Sequence, residues 1–388
     1  MQCFNFRAVA AAFIGIASLA ACQKEQGGKT ENPDVLEIGG KTITSDMKLE
    51  AGKTYSLVGS LQVKAPATLT IEKGVKVIAR DNGEINYILI EQGAKINAVG
   101  TEDEPIVLTA EREEIGAWGG VHICGRAHTN AGTDNKSEIG NASYGGNVED
   151  DNSGVMKYVR IEYSGYALDS EHEANGLTLY GVGSGTSISY VQCYMGADDG
   201  IEFFGGSVNV DHCVIVDCTD DCFDWTEGWN GRGEWLVAYQ TDPSYDCLFE
   251  CDNNGKAIEA TPVANPTLDH VTLIGNNSSE NKRGIRLRAG TFASFSNTLV
   301  CGKENPITFE TDPTLKSFID GTSKFSNVII SGKLKGDPKS SISYTDEMFT
   351  AAGNRIDVKL SFTSRYVGTV DGAGAVPADN DWTAGWTR

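Results

Sequence analysis

Val210-Asp211-His212-Cys213-Val214-Ile215 is one of six copies of a short pattern that decides the fold of this chain. In each copy the first, fourth and sixth residues are apolar or small, and the last three alternate as in a half-buried strand. The copies begin at residues 156, 188, 210, 268, 295 and 325, so their spacings are 32, 22, 58, 27 and 30 residues. We expect the spacing of 58 to contain two coils, with residues 235–239 in the missing slot.

A second set of segments runs in phase with the first, at 175–179, 199–203, 221–225 and 283–287, and residues 246–250 fit it with one extra residue. Each repeat therefore holds at least two short strands. Repeats of 20 to 30 residues built from strands are typical of solenoids. The pattern predicts an all-β chain, a right-handed parallel β-helix with long loop insertions, and it places the third residue of the first pattern at a corner. A β-propeller, with blades of about 40 residues, fits the spacings less well.

Apolar segments upstream of the repeats predict earlier coils, at 69–71, 75–79, 87–90, 106–110 and 118–123. Between them and the first repeat, residues 126–153 are polar and rich in glycine and asparagine. We interpret these residues as a long loop inserted in one coil, and loops of that length are often functional.

The first residues carry the features of an export signal. Arg7 precedes an apolar stretch at 8–19, which is too short to cross a bilayer, and Leu19-Ala20-Ala21-Cys22 follows. This stretch resembles the lipobox of bacterial lipoproteins, which implies cleavage before Cys22 and acylation of that residue; an ordinary secretory signal is the alternative. We predict a signal peptide at 1–21, a flexible tether at 22–34 and one β-helix domain with a C-terminal cap at 35–388.

The composition excludes some classes of function. The chain has 388 residues and a net charge of -21, which becomes -22 without the signal because only Arg7 is lost (31 basic and 53 acidic residues remain). Such a chain does not bind nucleic acid or an anionic membrane surface through its charge. Glycine is abundant, at 45 residues, against a typical share of about 7 %. We attribute this excess to the corners of stacked coils.

Two acidic stretches, 198–202 and 220–224, are the most distinctive feature for function. Their Asp-Asp pairs are 22 residues apart, one coil, so the carboxylates should stack, and stacked like charges repel unless a cation or a proton intervenes. Three interpretations stay open: a Ca²⁺ site, acid/base glycoside chemistry, and turn chemistry. The metal candidates are Asp198, Asp199, Glu202, Asp220, Asp221 and Asp224, and the catalytic candidates are Asp199, Asp220 and Asp221.

The acidic pairs resemble the Asp-Asp motif of polygalacturonases, which are also β-helices. The Gly-His-Gly motif of that family has no match here, and Arg286-Leu287-Arg288 is only a loose counterpart of its Arg-x-Lys. A lyase would need Ca²⁺ and a basic residue, for which Arg283, Arg286 and Arg288 are the clustered candidates.

Tryptophans follow the second acidic stretch. Asp224-Trp225-Thr226-Glu227-Gly228-Trp229 recurs at 381–386 with one difference. We predict Trp225, Trp229 and Glu227 as ligand-binding residues, with the indole faces stacking on sugar rings, and we predict that the copy at 381–386 caps the open end of the solenoid.

Cysteines and histidines repeat with the coils. The eight cysteines after Cys22 are consistent with either a buried ladder of thiols or one or two disulfides, and their spacing does not favour zinc. His212 and His270 occupy one position of the repeat, which favours a structural ladder over catalysis.

The lipobox, the Trp118-Gly119-Gly120 element, residues 196–206 and the closing 381–386 motif together resemble a group of uncharacterised β-helical outer-membrane lipoproteins of Gram-negative bacteria, notably Bacteroidota. The resemblance spans about residues 100 to 388. It implies an outer-membrane protein anchored by lipid and facing the cell exterior, next to TonB-dependent nutrient importers of the Sus type.

Because no complete catalytic set is visible, we expect a non-enzymatic protein that binds a nutrient ligand, a glycan or a peptide. The alternatives are a polysaccharide lyase or glycoside hydrolase on the same scaffold, and a structural or adhesive surface protein.

Overall fold

Short parallel strands joined by tight turns make up most of the chain. The computed structural model describes residues 35–167 and 173–388. The predicted signal peptide, Cys22 and His172 lie outside these residues. In this described part, no helix is both long and apolar enough to span a membrane.

The strands alternate with turns from one end of the described chain to the other. Before the long loop they are β1 (Leu36–Ile38), β2 (Lys41–Ile43), β3 (Met47–Leu49), β4 (Thr54–Leu57), β5 (Leu61–Val63), β6 (Thr68–Ile71), β7 (Lys76–Ala79), β8 (Ile88–Ile90), β9 (Lys95–Val99), β10 (Ile106–Ala110) and β11 (Val121–Cys124). After it they are β12 (Gly154–Glu162), β13 (Tyr166–Ala167), β14 (Glu173–Ala174), β15 (Leu177–Tyr180), β16 (Ser187–Tyr194), β17 (Ile201–Phe204), β18 (Asn209–Val216), β19 (Phe223–Thr226), β20 (Arg232–Tyr239), β21 (Phe249–Asp252), β22 (Thr267–Asn277), β23 (Arg283–Arg288), β24 (Ser294–Lys303), β25 (Asn305–Phe309), β26 (Lys324–Ile330) and β27 (Leu334–Gly336). The helices are α1 (Asp312–Asp320) and α2 (Asp346–Ala351).

The strands form two long sheets in which each strand pairs with its counterpart in the next coil. Sheet 1 follows the order β1-β4-β7-β10-β12-β16-β18-β20-β22-β24-β26, with β3, β6 and β9 as a branch that joins at β12. Sheet 2 follows the order β2-β5-β8-β11-β15-β17-β19-β21-β23-β25-β27. The pairs within both sheets are parallel, for example Val210 opposite Gly233 and Glu202 opposite Asp224. This arrangement is a right-handed parallel β-helix, so the predicted fold is confirmed, and the predicted upstream coils and the missing coil at β20 are confirmed with it.

The repeated pattern spans a bend in the strands of sheet 1. Its third residue has a positive φ of 46° to 56° in every copy, and so does Trp235 in the missing slot. The rings at this position stack, with centroids 4.4 Å apart for Tyr158 and Tyr190 and 4.0 Å apart for Trp235 and His270. The left-handed conformation costs a non-glycine residue about 1–2 kcal/mol, and the ring contacts offset part of that cost. The predicted corner and the ladder at His270 are confirmed.

Sheet 2 alternates strictly between the core and the outside, and this alternation positions the candidate site. In β17 Ile201 and Phe203 are buried, whereas Glu202 and Phe204 are partly exposed. The register stacks the outward-pointing residues of successive coils into one row of polar and charged side chains. That row reads Thr178, Glu202, Asp224, Glu250, Arg286 and Thr308.

The two helices and the 381–386 motif cover different parts of the solenoid. Phe318 of α1 and Phe349 of α2 pack on Phe325 of β26, at centroid distances of 4.6 Å and 5.3 Å, and so cover the last coils. Trp382 and Trp386 instead pack edge-on against the ring stack of sheet 1, at 4.7 Å from His212 and 5.7 Å from Tyr158. The prediction that the 381–386 motif caps the open end is therefore wrong, because this motif covers the side of the solenoid.

Candidate functional site

The two Asp-Asp turns lie directly before β17 and β19, and the second aspartate of each forms a ladder across coils. The main-chain N–H of Asp199 donates to Asn175 Oδ1 (3.2 Å), that of Asp221 to Asp199 Oδ1 (2.9 Å), and that of Cys247 to Asp221 Oδ1 (2.6 Å). For Asp199 and Asp221 the turn interpretation is therefore wrong, because their Oδ1 atoms link successive coils. Each side chain accepts from the backbone of the next coil rather than from its own.

Stacking does bring the predicted acidic residues close together, but in three groups rather than one. In each group the ligand atoms lie within 4.8 Å of one another. The groups are Glu173, Asp198 and Asp220; Asp199, Glu202 and Asp224; and Asp221, Cys247 and Glu250. The six predicted residues are therefore split, because successive side chains at a turn point to different sides of the backbone.

Burial raises the pKa values of the six predicted carboxyl groups, those of Asp198, Asp199, Glu202, Asp220, Asp221 and Asp224. It raises the pKa of Asp198 to about 8, with repulsion from Glu173 as the next cause, and that of Asp220 to about 6. The pKa values of Asp199, Glu202 and Asp224 are also well above the ordinary range, mainly through burial and then through their acidic neighbours. At neutral pH these groups therefore need protons or a cation to neutralise them.

The group of Asp199, Glu202 and Asp224 is the one best suited to a cation. Glu202 Oε2 accepts a hydrogen bond from Asn175 Nδ2 (2.5 Å), and Asp199 Oδ1 is held by the ladder. Asp224 borders a cleft, yet its Oδ1 atom is buried and has no hydrogen-bond partner among the residues that the structure describes. A buried carboxylate oxygen without a donor is costly, and hard oxygen ligands are what Ca²⁺ prefers. These three residues could hold a Ca²⁺ ion, which would complete its coordination with water or ligand oxygens.

Trp225 and Trp229 lie in the core, which corrects their predicted role as a sugar-binding surface. Both side chains are fully buried. Trp225 Nε1 donates to Thr291 Oγ1 (3.0 Å), and Trp229 Nε1 donates to Val208 O (3.1 Å). The ring of Trp229 stacks on Phe203 at 4.0 Å. No face of either ring is available to a ligand, because the alternation of β19 turns Trp225 inward and the following turn folds Trp229 back beside it.

Glu227 ties the long loop to the solenoid at the edge of the cleft. The backbone of Glu227 is left-handed, with φ 53°. Its Oε2 atom accepts from Thr129 Oγ1 (2.7 Å), and the hydroxyl of Tyr144 donates to both carboxylate oxygens (3.0 and 3.1 Å). Burial raises its pKa. Glu227 therefore lies beside the predicted site, with its carboxylate occupied by loop residues.

A cleft of about 560 Å³ opens over the outer face of β19, β21 and β23. Its floor is the outward row of sheet 2, and the long loop and residues 254–257 form its sides. The polar and charged residues that line it include Asn130, Asp224, Glu227, Glu250, Asp252, Lys256 and Arg288. Its size falls within the range of small-molecule and cofactor sites.

Ion pairs fix two of the three arginines of β23, Arg286 and Arg288. Arg288 contacts Asp252 Oδ1 (2.7 Å) and Glu250 Oε1 (2.9 Å), and Arg286 contacts Glu250 Oε2 (2.6 Å) and Glu310 Oε1 (3.0 Å). Despite the opposing effect of burial, these carboxylates raise the pKa values of both guanidinium groups. The arginines therefore stay charged and are poor proton acceptors, which argues against the basic role that a lyase would assign to them.

A second cleft, of about 340 Å³, lies on the outer face of sheet 2 nearer its last strands. Arg286 lies in it, whereas Arg288 of the same strand lies in the first cleft. Arg283, Glu310 and Lys335 add further charges. We refer to the two clefts together as the sheet 2 groove; the strands that line them include β19, β21, β23, β25 and β27.

The sequence contained a signal for the residues that we did not predict. Glu250 and Arg286 occupy the outward position of segments 246–250 and 283–287, the same position as Glu202 and Asp224. Following that position through all coils would have found the row. The loop residues, such as Asn130, carry no such periodic signal.

The cysteines form buried thiols. All eight described cysteines are free, and seven of them are buried. Burial raises the pKa values of Cys193, Cys218 and Cys222, so these thiols are unreactive. Among the residues that the structure describes, the ladder of thiols is confirmed and no disulfide is present.

Comparison with known proteins gives one match. A family model described as a pectate-lyase-like beta helix domain matches residues 41–387. No curated protein matches the chain. No solved structure matches it either.

Proposed function

Because the chain belongs to the pectate-lyase-like β-helix domain family, we propose that it binds a glycan in the sheet 2 groove, as a lipoprotein anchored through Cys22 to the outer membrane. The observation that carries the proposal is the groove itself. Its lining combines amides, carboxylates and guanidinium groups, which are the groups that hydrogen-bond sugar hydroxyls. A peptide is the alternative ligand, and a TonB-dependent importer is the partner that the resemblance to Sus-associated lipoproteins implies.

Ca²⁺ has a place in this proposal. Asp224 lies in both the carboxylate group and the cleft, so an ion held by Asp199, Glu202 and Asp224 would be accessible to a ligand. A cation there would neutralise the carboxylates and offer open coordination positions to hydroxyl or carboxylate oxygens of the glycan.

Glycan-array binding of the mature protein, with Ca²⁺ or with a chelator, tests the proposal. We expect retention of at least one class of glycan and a loss of that binding in Arg288→Met, whereas Arg112→Met, on a distant coil, should bind normally. A protein that retains peptides but no glycan would contradict the proposal. For the anchor, we expect Cys22→Ala to move the protein from the membrane fraction to the soluble fraction.

A polysaccharide-cleaving enzyme is the second candidate, and Asp252 favours it. This carboxyl group lies in the cleft, and burial raises its pKa to about 6, partly opposed by Arg288. A carboxyl group with that pKa can act as a general acid near neutral pH. Turnover of acidic polysaccharides that disappears in Asp252→Asn would support the enzyme, and absence of turnover in the wild-type protein, with and without Ca²⁺, would exclude it.

A further inference from the structure

The two clefts of sheet 2 carry opposite charges. Four acidic and two basic side chains line the first cleft. The second cleft reverses this ratio, although the chain as a whole has a net charge of -21. Its basic residues are Arg283, Arg286, Lys335 and Lys339, and its acidic residues are Glu310 and Asp337. The second cleft therefore attracts anionic groups, whereas the first repels them.

Three of the four basic residues in the second cleft keep charged donors available. Arg283 Nε comes only within 3.9 Å of Glu310 Oε1, which is beyond hydrogen-bond distance. Lys335 Nζ donates to the neutral Asn281 Oδ1 (2.8 Å). In the described part of the chain, neither Lys335 nor Lys339 forms an ion pair. Carboxylates of the protein therefore leave both lysines without a counter-ion, and the guanidinium of Arg283 has donors free for another group.

A buried hydroxyl among the lining residues of this cleft lacks a partner. Thr308 is only 5 % exposed, and its Oγ1 atom has no hydrogen-bond partner among the described residues. In the outward row Thr308 stands between Arg286, on the coil before, and Lys335, on the coil after. Both neighbours are cations, which donate hydrogen bonds but do not accept them. An acceptor bound in the cleft would therefore remove the cost of an unpaired buried hydroxyl.

We propose that the second cleft binds a tetrahedral oxyanion, the sulfate or phosphate ester group of a sugar. Arg283, Lys335 and Lys339 would supply the positive charges, and the hydroxyl of Thr308 would donate to one oxygen of the ester. These donors leave three successive strands of sheet 2 and the turn after β27, so they approach from several directions. This suits a group with three free oxygens, whereas one guanidinium fork satisfies a planar carboxylate. The inference rests on the proposed function, since it names a chemical group of the glycan that the groove recognises.

Calorimetric titration of the mature protein with sodium sulfate and with sodium phosphate tests the site in the absence of any sugar. Sodium chloride keeps the ionic strength constant, so that general screening does not change during the titration. We expect one saturable site per protein molecule for at least one of the two anions. Saturable binding of neither anion would overturn the inference.

Variants of the lining residues separate this site from the rest of the surface. Lys335→Met removes one cation and should weaken anion binding about tenfold or more. Thr308→Val keeps the shape but removes the hydroxyl, and it should weaken binding about threefold to tenfold. Lys333→Met is the matched control and should bind normally, because Lys333 pairs with Asp357 and does not line the cleft. Anion affinity that is unchanged in Lys335→Met and in Thr308→Val would overturn the site.

Substituted monosaccharides identify the ester. The probes are galactose 6-sulfate, galactose 6-phosphate, galacturonic acid and galactose. We expect one of the two esters to bind at least about tenfold more tightly than galacturonic acid and galactose, and the stronger of the two identifies the group. Galacturonic acid as the tightest ligand would overturn the preference for a tetrahedral group.

The failure of this inference can be told from the failure of the proposed function. Saturable anion binding, with no glycan retained on the array, would overturn the proposed function and leave the oxyanion site in place. Glycan retention that Arg288→Met abolishes, without anion binding in the second cleft, would overturn this inference alone.

Discussion

Replacing Trp225 by alanine should destabilise the solenoid strongly without acting on a ligand. Trp225 is fully buried and contacts the rings of Trp229, Phe249 and Phe295, at centroid distances of 5.7 to 6.2 Å. Truncating a buried tryptophan to alanine costs about 3–5 kcal/mol, from lost burial and the cavity that remains. Loss of the hydrogen bond from Trp225 Nε1 to Thr291 Oγ1 adds about 1 kcal/mol. We therefore expect the free energy of unfolding to fall by about 4–6 kcal/mol.

Urea unfolding followed by circular dichroism measures this change, and two variants control it. Trp225→Phe keeps most of the ring and should lose about 1–2 kcal/mol. Trp235→Ala, at the half-buried bend, removes a ring of the same size and should lose less than Trp225→Ala. The reasoning is refuted if Trp225→Ala unfolds within about 1 kcal/mol of the wild type but has lost its affinity for glycan, since that result would place the ring at the ligand.

Three further predictions concern the carboxylates, the groove and the C-terminal segment. Because the pKa values of Asp198 and Asp220 rise on folding to about 8 and about 6, these two groups bind more protons in the folded state than in the unfolded chain between about pH 4 and pH 8. In chelator, stability should therefore fall as pH rises from about 4 to 8. Ca²⁺ should restore it at pH 8 if the cation site forms, and a urea midpoint that rises with pH across this window would contradict the prediction. Arg288→Lys keeps the charge but loses the planar fork, so glycan affinity should fall about tenfold while the unfolding free energy changes by about 1 kcal/mol or less; unchanged affinity by calorimetry would remove Arg288 from the site. Trp386→Ala should lower the unfolding free energy by about 3 kcal/mol and leave glycan binding intact, because Trp386 is buried on sheet 1; weakened binding would contradict that separation.

The fold was predictable because equivalent strands of successive coils recur in the sequence at a spacing of about one coil. The pattern at Val210–Ile215 marked the strands of sheet 1, and its third residue marked the bend, since one backbone conformation recurs in every coil. The position of the 381–386 motif was not predictable. Its similarity to residues 224–229 is a similarity of local sequence and does not predict tertiary contacts. Its contacts with Tyr158 and His212 depend on how the chain returns along the solenoid.

The candidate site was only partly predictable. Stacking of the acidic turns followed from their spacing of one coil, and the structure confirms that they stack. The direction of each side chain did not follow, so Asp221 joined Cys247 rather than Asp224, and Trp225 turned inward. The position of the loop at 128–130 beside the cleft depends on contacts about 100 residues apart in sequence, such as His128 with Gly228, and spacing carries no information about such contacts.

Hydrogen–deuterium exchange of the mature protein, with and without a glycan retained on the array, tests the central claim most directly. If the sheet 2 groove binds the glycan, exchange should slow at 128–135, at 249–257 and at 283–288, and stay unchanged at the bends of sheet 1. Protection confined to sheet 1, or to the C-terminal segment at 366–388, would contradict a binding site in the groove.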